Sequence, residues 1–348
     1  MFRKVFVSLL ILLIALSGLM VLSPGETEET LSPRINGVSL VNPHFVVDSV
    51  QMNTVRRVNG DWVAVIPFGF SRDNEPEVHF NHERQWWGER LEGAEELIRL
   101  AHGCGLKVML KPHVWQRGSW IGDFDLDSEE KWKVWEAHYS AYIMAYARLA
   151  EKMQVELFCI ATEYKVAVVK RPAYWSNLIK EIKREYHGPL TYAANWDNYE
   201  NVPFWDQMDY IGVDAYFPLV HEEDPDVATI KRAWEPLASK LRSFGAIYNK
   251  PILFAEYGYQ SANGSVGNHW EVSQSADQVN MELQARAYEA LYGVFWNEPW
   301  FAGGFFWKWH FDEQRHGGPQ DLSFTPQGKP AEAVITRWYG SNVSNPVR

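Results

Sequence analysis

The chain has 348 residues and a formal net charge of −11, from 33 basic and 44 acidic side chains, which argues against binding to nucleic acid or an anionic membrane surface. Its two cysteines, Cys104 and Cys159, cannot form a disulfide framework, and no cysteine or histidine spacing matches a structural zinc site. Aromatic residues make up 15% of the chain, more than a core alone needs. We therefore expect some of them to face a ligand.

The N-terminus has the sequence of a targeting segment. Met1-Phe2-Arg3-Lys4 is basic, and an apolar run from Val5 to Leu22 follows it. Residues 1–22 are therefore a signal peptide or an N-terminal membrane anchor, since the run approaches the roughly 18 apolar residues of a spanning helix. Either alternative places the body of the protein outside the cytoplasm, whether secreted, periplasmic or anchored. The polar residues 23–33 contain two prolines and form a linker.

From Arg34 onward, short apolar runs alternate with longer stretches of helical periodicity, the pattern of parallel strands joined by helices. Strands are predicted at 36–41, 62–67, 106–111, 155–161, 189–194, 209–215, 251–256 and 303–308. Helices are predicted at 45–58, 84–103, 130–152, 173–186, 203–207, 227–247, 276–293 and 329–338. Eight such units predict an α/β fold, a single (β/α)8 TIM barrel over residues 34–340. The main alternative, a doubly wound open sheet, lacks its glycine-rich phosphate turn after the first strand.

Two glutamates follow directly after predicted strands, where the site of such a barrel lies. The fourth strand runs into Glu163 and the seventh into Glu256. Because these strands lie on nearly opposite sides of the ring, we expect the two side chains to face each other. Two such carboxyls can hydrolyse a glycosidic bond, one donating a proton and the other attacking the anomeric carbon. For either glutamate taken alone, a loop cap or a pair with a basic residue is the alternative.

Five segments around these positions resemble glycoside hydrolase family 113. They are Ala161-Thr162-Glu163, TYAANW at 191–196, Phe204-Trp205-Asp206, DYIGVDAYFPL at 209–219 and FAEYGY at 254–259. The resemblance implies a retaining (β/α)8 glycosidase, most often an endo-β-1,4-mannanase acting by double displacement. It assigns Glu163 as the acid/base and Glu256 as the nucleophile. Ala161 and Ala255 depart from the usual family residues, which bears on substrate fit more than on reaction type.

Aromatic and polar residues after the strands are candidates for substrate binding, because an indole face stacks on the C–H face of a sugar. Trp307 is the preferred residue beneath the sugar at the cleavage point. Tyr164, Tyr216 and Tyr257 are placed to tune the glutamates, and Tyr216 is expected to touch Glu256. The candidates are Lys111, His113, Trp115, Trp120, Asn195, Trp196, Asp214, Tyr216, Tyr257 and Trp307. Ordinary packing stays the alternative for His113 and Trp196, and it is the favoured reading for Trp87, Trp132, Trp135 and Trp234.

A third glutamate, Glu298 in Asn297-Glu298-Pro299, matches the acid/base motif of many related barrels. If Glu298 ended strand four, only about 50 residues would remain for four more strand and helix units, which is too few. We therefore place Glu298 in a loop before strand eight.

The expected substrate is a β-linked polysaccharide or oligosaccharide, with a mannan-type glycan favoured. A retaining hydrolase of another β-glycan is the first alternative, and a non-catalytic surface barrel that binds carbohydrate is the second. A metal-dependent hydrolase is disfavoured because the first strand ends in Asn42-Pro43-His44 instead of a His-x-His pair. We expect a monomer that needs no metal and no cofactor.

Overall fold

The computed structural model describes residues 34–272 and 275–341, and its ten strands give the fold class. They are β1 (Ile35–Leu40), β2 (Trp62–Val65), β3 (Phe68–Arg72), β4 (Lys107–Leu110), β5 (His113–Arg117), β6 (Leu157–Thr162), β7 (Leu190–Asn195), β8 (Ile211–Asp214), β9 (Ile252–Tyr257) and β10 (Phe301–Trp309). Eight of them form a closed parallel barrel in the order β1-β2-β4-β6-β7-β8-β9-β10, with β10 pairing back onto β1. The predicted TIM barrel is confirmed, and all eight barrel strands lie at the predicted positions.

The barrel interior is filled by side chains at alternate strand positions, because neighbouring residues of a strand point to opposite faces. Leu157 and Cys159 of β6 point inward, together with Leu253 and Ala255 of β9. The opposite face of β9 carries Phe254, which packs against the surrounding helices. Side chains that continue the inward series past the strand ends reach the mouth of the barrel.

The helices surround this barrel. They are α1 (Ser49–Asn53), α2 (Leu91–Gly103), α3 (Glu129–Lys152), α4 (Lys165–Lys170), α5 (Pro172–Glu185), α6 (Val227–Tyr248), α7 (Met281–Phe295) and α8 (Pro330–Ser341). Side-chain caps fix where the two longest begin. The Ser128 hydroxyl accepts a backbone N–H at the start of α3, and the Asp226 carboxylate does the same at the start of α6.

Four helix predictions were wrong in extent. The predicted helix at 45–58 is α1 followed by a 3-10 helix, Thr54–Val58, and the predicted helix at 276–293 is a 3-10 turn, Ala276–Gln278, followed by α7. Within the predicted helix at 84–103, Trp87–Glu89 form a 3-10 turn and the α-helix begins only with α2, because the Gly88 N–H donates to the Pro43 carbonyl and the chain turns there. The predicted helix at 203–207 is a single 3-10 turn, Trp205–Gln207. The short helix α4 has no predicted counterpart, since its six residues are too few to show helical periodicity.

Strands β3 and β5 form a separate two-stranded parallel ribbon that was not predicted. Pro67 and Pro112 precede these strands and end the barrel pairing, since proline has no N–H to donate. The Tyr142 hydroxyl of α3 donates to the carbonyls of Pro67 and His113 and ties the ribbon to the helix layer. The ribbon therefore extends from the carboxyl ends of barrel strands β2 and β4.

Much of the aromatic content fills the layer between barrel and helices. Trp135 of α3 stacks on Tyr139, with 5.1 Å between ring centroids, and lies 6.0 Å from Trp175 of α5. Trp234 of α6 stacks on Phe254 at 6.1 Å. The packing roles predicted for Trp135 and Trp234 are confirmed. Four tryptophans are well exposed, namely Trp86, Trp115, Trp120 and Trp270.

Within the described residues, no helix is both long and apolar enough to cross a membrane. The predicted targeting segment at 1–22 and the linker at 23–33 lie outside the described residues.

Candidate active site

Glu163 lies immediately after β6 at the mouth of the barrel. Its backbone is left-handed, with φ of +56°, which is uncommon for a residue other than glycine. The Glu163 N–H donates to the Ala193 carbonyl at 2.8 Å, and the Lys165 N–H donates to the Glu163 carbonyl at 2.7 Å. The Trp120 indole N–H donates to Glu163 Oε2 at 2.7 Å. Backbone and side chain are thus both held in one orientation.

The environment of Glu163 raises its pKa from 4.5 to about 7. Burial is the main cause, and repulsion by the Glu256 carboxylate is the second. The hydrogen bond from Trp120 and the positive charge of Lys111 oppose the rise. A carboxyl with this pKa keeps its proton near neutral pH, which is what a general acid needs.

Glu256 lies near the end of β9 and is only 7% exposed. The Tyr216 hydroxyl donates to Glu256 Oε2 at 2.9 Å, the contact expected from neighbouring strands. The Lys111 ammonium donates to Glu256 Oε1 from the other side. Both oxygens of the carboxylate are therefore held by donors, which fixes the direction in which it can attack.

Lys111 is wholly buried between two carboxyls, since its ammonium also lies 3.8 Å from Asp214 Oδ1. Burial alone would lower the pKa of Lys111, but the charges of Asp214 and Glu256 raise it above its usual value. Burial raises the pKa of Asp214 well above its usual range, and Lys111 only partly opposes this. One buried cation thus lies between the carboxyls of Glu256 and Asp214.

His113 begins β5 beside this cluster, and its pKa is lowered to about 4 by burial and by the nearby Lys111 charge. Its imidazole is therefore neutral at neutral pH and can donate one hydrogen bond and accept another. The ring stacks on Phe68, with 5.1 Å between centroids. Its Nδ1 is buried and has no hydrogen-bond partner within the described part of the chain.

A second polar network lies next to Glu163. The Asn195 amide donates to Asp197 at 2.8 Å, and the Lys165 ammonium pairs with the same carboxylate at 2.5 Å. The Lys165 ammonium also lies 6.0 Å from the Trp120 ring centroid. Asp197 was missed in the sequence, although it follows β7 by two residues and so continues the alternation that places Asn195. Its negative charge adds to the raised pKa of Glu163.

The predicted aromatic residues occupy different places. Trp120 reaches Glu163 directly. Trp307 of β10 is partly buried against the side chains that fill the barrel interior. Trp196 stacks on Trp270, with ring planes parallel to within 7° and 6.4 Å between ring centroids. Trp115 is half-exposed on the β3–β5 ribbon. The stacking roles of these residues stay predictions.

Tyr257 does not face the site, contrary to the prediction. Its hydroxyl forms hydrogen bonds with the hydroxyls of Tyr292, at 3.0 Å, and Tyr339, at 2.8 Å, in the helix layer. The register of β9 shifts against both neighbouring strands near its carboxyl end. The shift turns Glu256 toward the site and Tyr257 away from it, and such irregularities are frequent next to active sites. Tyr339 also donates to the Gly37 carbonyl of β1, at 2.9 Å.

Glu298 lies in the loop before β10, as predicted. This loop is at the amino ends of the barrel strands, opposite the site. Its carboxylate accepts the Trp300 indole N–H at 2.7 Å, and its backbone carbonyl accepts from Arg34. Within residues 34–272 and 275–341, no group of three or more His, Cys, Asp or Glu side chains is arranged to hold a metal ion.

The barrel carries one glutamate that keeps its proton, at the end of its fourth strand, and a second glutamate that is held by hydrogen-bond donors, at the end of its seventh strand. This arrangement is that of a glycoside hydrolase. The profile of Glycoside Hydrolase Family 113 matches residues 47–329. The chain belongs to this family, and the resemblance found in the sequence is confirmed.

Solved structures agree with this assignment. The GH113 β-mannanase AaManA from Alicyclobacillus acidocaldarius, in complex with ManMIm, is 28% identical, over 89% of this chain and 98% of that chain, with a TM-score of 0.79. A GH113 β-1,4-mannanase is 26% identical, over 89% and 100%, with a TM-score of 0.77. A Faecalibacterium prausnitzii β-glucuronidase, 16% identical over 88% of this chain and 49% of that chain at a TM-score of 0.58, shares the fold alone. No curated protein sequence matches the chain.

Proposed function

We propose that this glycoside hydrolase is an endo-β-1,4-mannanase that retains the anomeric configuration, with Glu163 as acid/base and Glu256 as nucleophile. The observation that carries the proposal is the asymmetry between the two carboxyls. Glu163 has a pKa of about 7, whereas Glu256 accepts hydrogen bonds from the Lys111 ammonium and the Tyr216 hydroxyl. The similarity to two GH113 mannanases favours mannan as the substrate.

In the first step, Glu163 donates its proton to the glycosidic oxygen while Glu256 attacks the anomeric carbon and forms a glycosyl ester. The leaving sugar departs with that proton. Esterification removes the negative charge of Glu256, which had helped to raise the pKa of Glu163. The pKa of Glu163 therefore falls in the intermediate, so Glu163 can accept a proton from water. That water attacks the anomeric carbon, and Glu256 is released as a carboxylate.

Lys111 and Tyr216 act on the nucleophile in both steps. Their hydrogen bonds orient the Glu256 carboxylate before attack, and they stabilise the carboxylate again when the ester breaks. Because their donors are already in place, little reorganisation is needed as charge moves on and off Glu256. We expect a separation of about 5 to 5.5 Å between the two carboxyls, as retention requires.

The test is to incubate the full chain with β-mannan, xylan and soluble β-glucan and to identify the released oligosaccharides by mass and linkage. Mannan cleavage that disappears in the Glu256→Ala variant supports the proposal. Cleavage of another glycan alone would keep the mechanism and reject mannan as the substrate. Binding without cleavage of any glycan would favour a non-catalytic carbohydrate-binding barrel. Proton NMR at early times should show the β-anomer of the product first, and the α-anomer first would reject retention.

We also propose that the enzyme works outside the cytoplasm, as a monomer. The support for this location is the basic and apolar sequence of residues 1–22, followed by a polar linker. Fractionation of cells that express the full chain, with and without residues 1–22, tests the location. Light scattering of the purified protein tests the monomer.

A further inference from the structure

The loop at residues 310–329, between β10 and α8, follows the last barrel strand and ends in a buried lysine. The Lys329 ammonium donates to the Ser261 hydroxyl and to the Ser323 carbonyl, each at 2.9 Å. It also lies 3.4 Å from Asp321 Oδ1. Lysine is rarely buried unless it is paired, and here the ammonium has an acceptor for each of its three donors. The loop is thereby tied to the segment that follows β9, which contains Ser261.

Further hydrogen bonds fix the same part of the loop. The Asp321 carboxylate accepts the N–H groups of Gly317, at 2.5 Å, and Ser323, at 2.6 Å. The Ser261 N–H donates to the Leu322 carbonyl at 3.2 Å. Burial lowers the pKa of Lys329 to about 8, although the charge of Asp321 opposes the fall. Burial therefore disfavours the charged form of this lysine, and its hydrogen bonds serve to select one loop geometry.

Phe324 of this loop contacts the tyrosine that holds the nucleophile. The Phe324 and Tyr216 rings meet edge to face, with 6.0 Å between centroids and 77° between planes. The Tyr216 hydroxyl donates to Glu256 Oε2 at 2.9 Å. Because the direction of a tyrosine hydroxyl depends on side-chain torsions, contacts on the ring determine how precisely it reaches its acceptor. Phe324 is thus placed to influence the hydrogen bond to Glu256.

Phe324 is itself held from the helix layer. The buried Gln284 side chain of α7 donates to the carbonyls of Phe324, at 3.1 Å, and Tyr259, at 2.8 Å. The loop approaches the end of β9 closely because residue 258 is glycine. A methyl group on Gly258 would lie 3.4 Å from Phe324 and only 2.6 Å from the Trp307 carbonyl oxygen. The loop and the segment that follows β9 therefore form one packed unit.

We propose that Lys329 and Phe324 are positioning residues for the nucleophile: Lys329 fixes the loop, and Phe324 orients the Tyr216 hydroxyl toward Glu256. This inference rests on the proposed function, in which Glu256 attacks the anomeric carbon. Both residues act through Tyr216. The benefit is alignment, because a hydrogen bond weakens steeply away from its preferred direction and a misplacement of about 1 Å can cost about 100-fold in rate.

The test is a pair of double-mutant cycles in the full chain, at slightly acidic pH, where Lys329 keeps its charge. Phe324→Leu removes the ring, and Lys329→Met removes the charge at similar length. Each variant should lower kcat/KM roughly 10-fold on the glycan that the wild type cleaves. In the Tyr216→Phe background each should lower it by less than about 2-fold, because the hydroxyl that they orient is absent.

The control is Tyr248→Leu, at the half-buried last residue of α6, which packs on Phe244. It should change kcat/KM in neither background. A readout that does not need activity is the NMR resonance of the phenolic carbon of Tyr216 in protein with isotopically labelled tyrosine. This resonance is assigned from the Tyr216→Phe spectrum. It should move in Phe324→Leu and Lys329→Met and stay in place in Tyr248→Leu.

Equal losses of kcat/KM in the two backgrounds, or an unmoved Tyr216 resonance, would overturn the proposal. If Lys329→Met does not fold, Ser261→Ala replaces it in the cycle, since this variant removes one acceptor of the ammonium. If the wild type cleaves no glycan, the proposed function fails. The Tyr216 resonance alone then decides whether the loop orients this hydroxyl.

Discussion

Because the pKa of Glu163 is raised, we expect this residue to lower the free energy of unfolding as pH rises. In the unfolded chain the carboxyl loses its proton near its ordinary pKa of 4.5, but in the folded protein it keeps the proton up to about pH 7. The folded state therefore binds more protons between these values, and the free energy of unfolding falls across that window. A rise from 4.5 to about 7 corresponds to about 3 kcal/mol.

Glu163→Gln replaces the carboxyl with a neutral group of the same shape and removes this dependence. The free energy of unfolding of the variant, measured relative to wild type, should increase by roughly 2 to 3 kcal/mol from about pH 5 to about pH 8.5. Urea denaturation at both pH values measures the gain, and other titrating groups cancel in the comparison. Glu130→Gln, on the exposed surface of α3, is the control and should show no such gain. A Glu163→Gln difference that does not change with pH would refute the reasoning.

Three further outcomes are expected. Trp120→Phe removes the hydrogen bond that lowers the pKa of Glu163, so the alkaline fall in kcat/KM should move to higher pH; an unmoved profile would contradict the contact. Lys111→Met leaves two buried carboxyls without their cation and should lower the unfolding free energy by about 3 to 5 kcal/mol in urea, with at least a 100-fold loss of kcat by rough estimate. Tyr216→Phe removes a hydrogen bond to a charged group, so kcat/KM should fall roughly 10- to 100-fold, and an unchanged value would exclude a role in holding Glu256.

The barrel and its two glutamates could be predicted because both depend on local sequence. Each barrel strand is a short apolar run, and the polar residue that ends it must lie at the mouth of the barrel. Glu163 and Glu256 are such residues, and both lie there. Tyr216 could be placed against Glu256 because consecutive barrel strands are neighbours.

Tyr257 could not be placed because its direction depends on a register shift that involves three strands. The Ala215 N–H, just past β8, donates to the Glu256 carbonyl at 2.7 Å, and this bond belongs to the tertiary fold. Simple alternation along β9 would instead continue from Ala255 to Tyr257. The β3–β5 ribbon was missed for a similar reason. Each of its strands has only five residues, and they become a ribbon only when the barrel brings them together.

The hydroxyl contacts of Tyr339 have a consequence for biosynthesis. This residue of α8 joins Gly37 of the first strand to Tyr257, the neighbour of the nucleophile. Strand β10, which closes the ring, is also among the last segments to be made. A nascent chain that lacks both β10 and α8 therefore has an open sheet, and it also lacks the Tyr339 contact to Tyr257. We therefore expect the products of synthesis interrupted before β10 to be inactive.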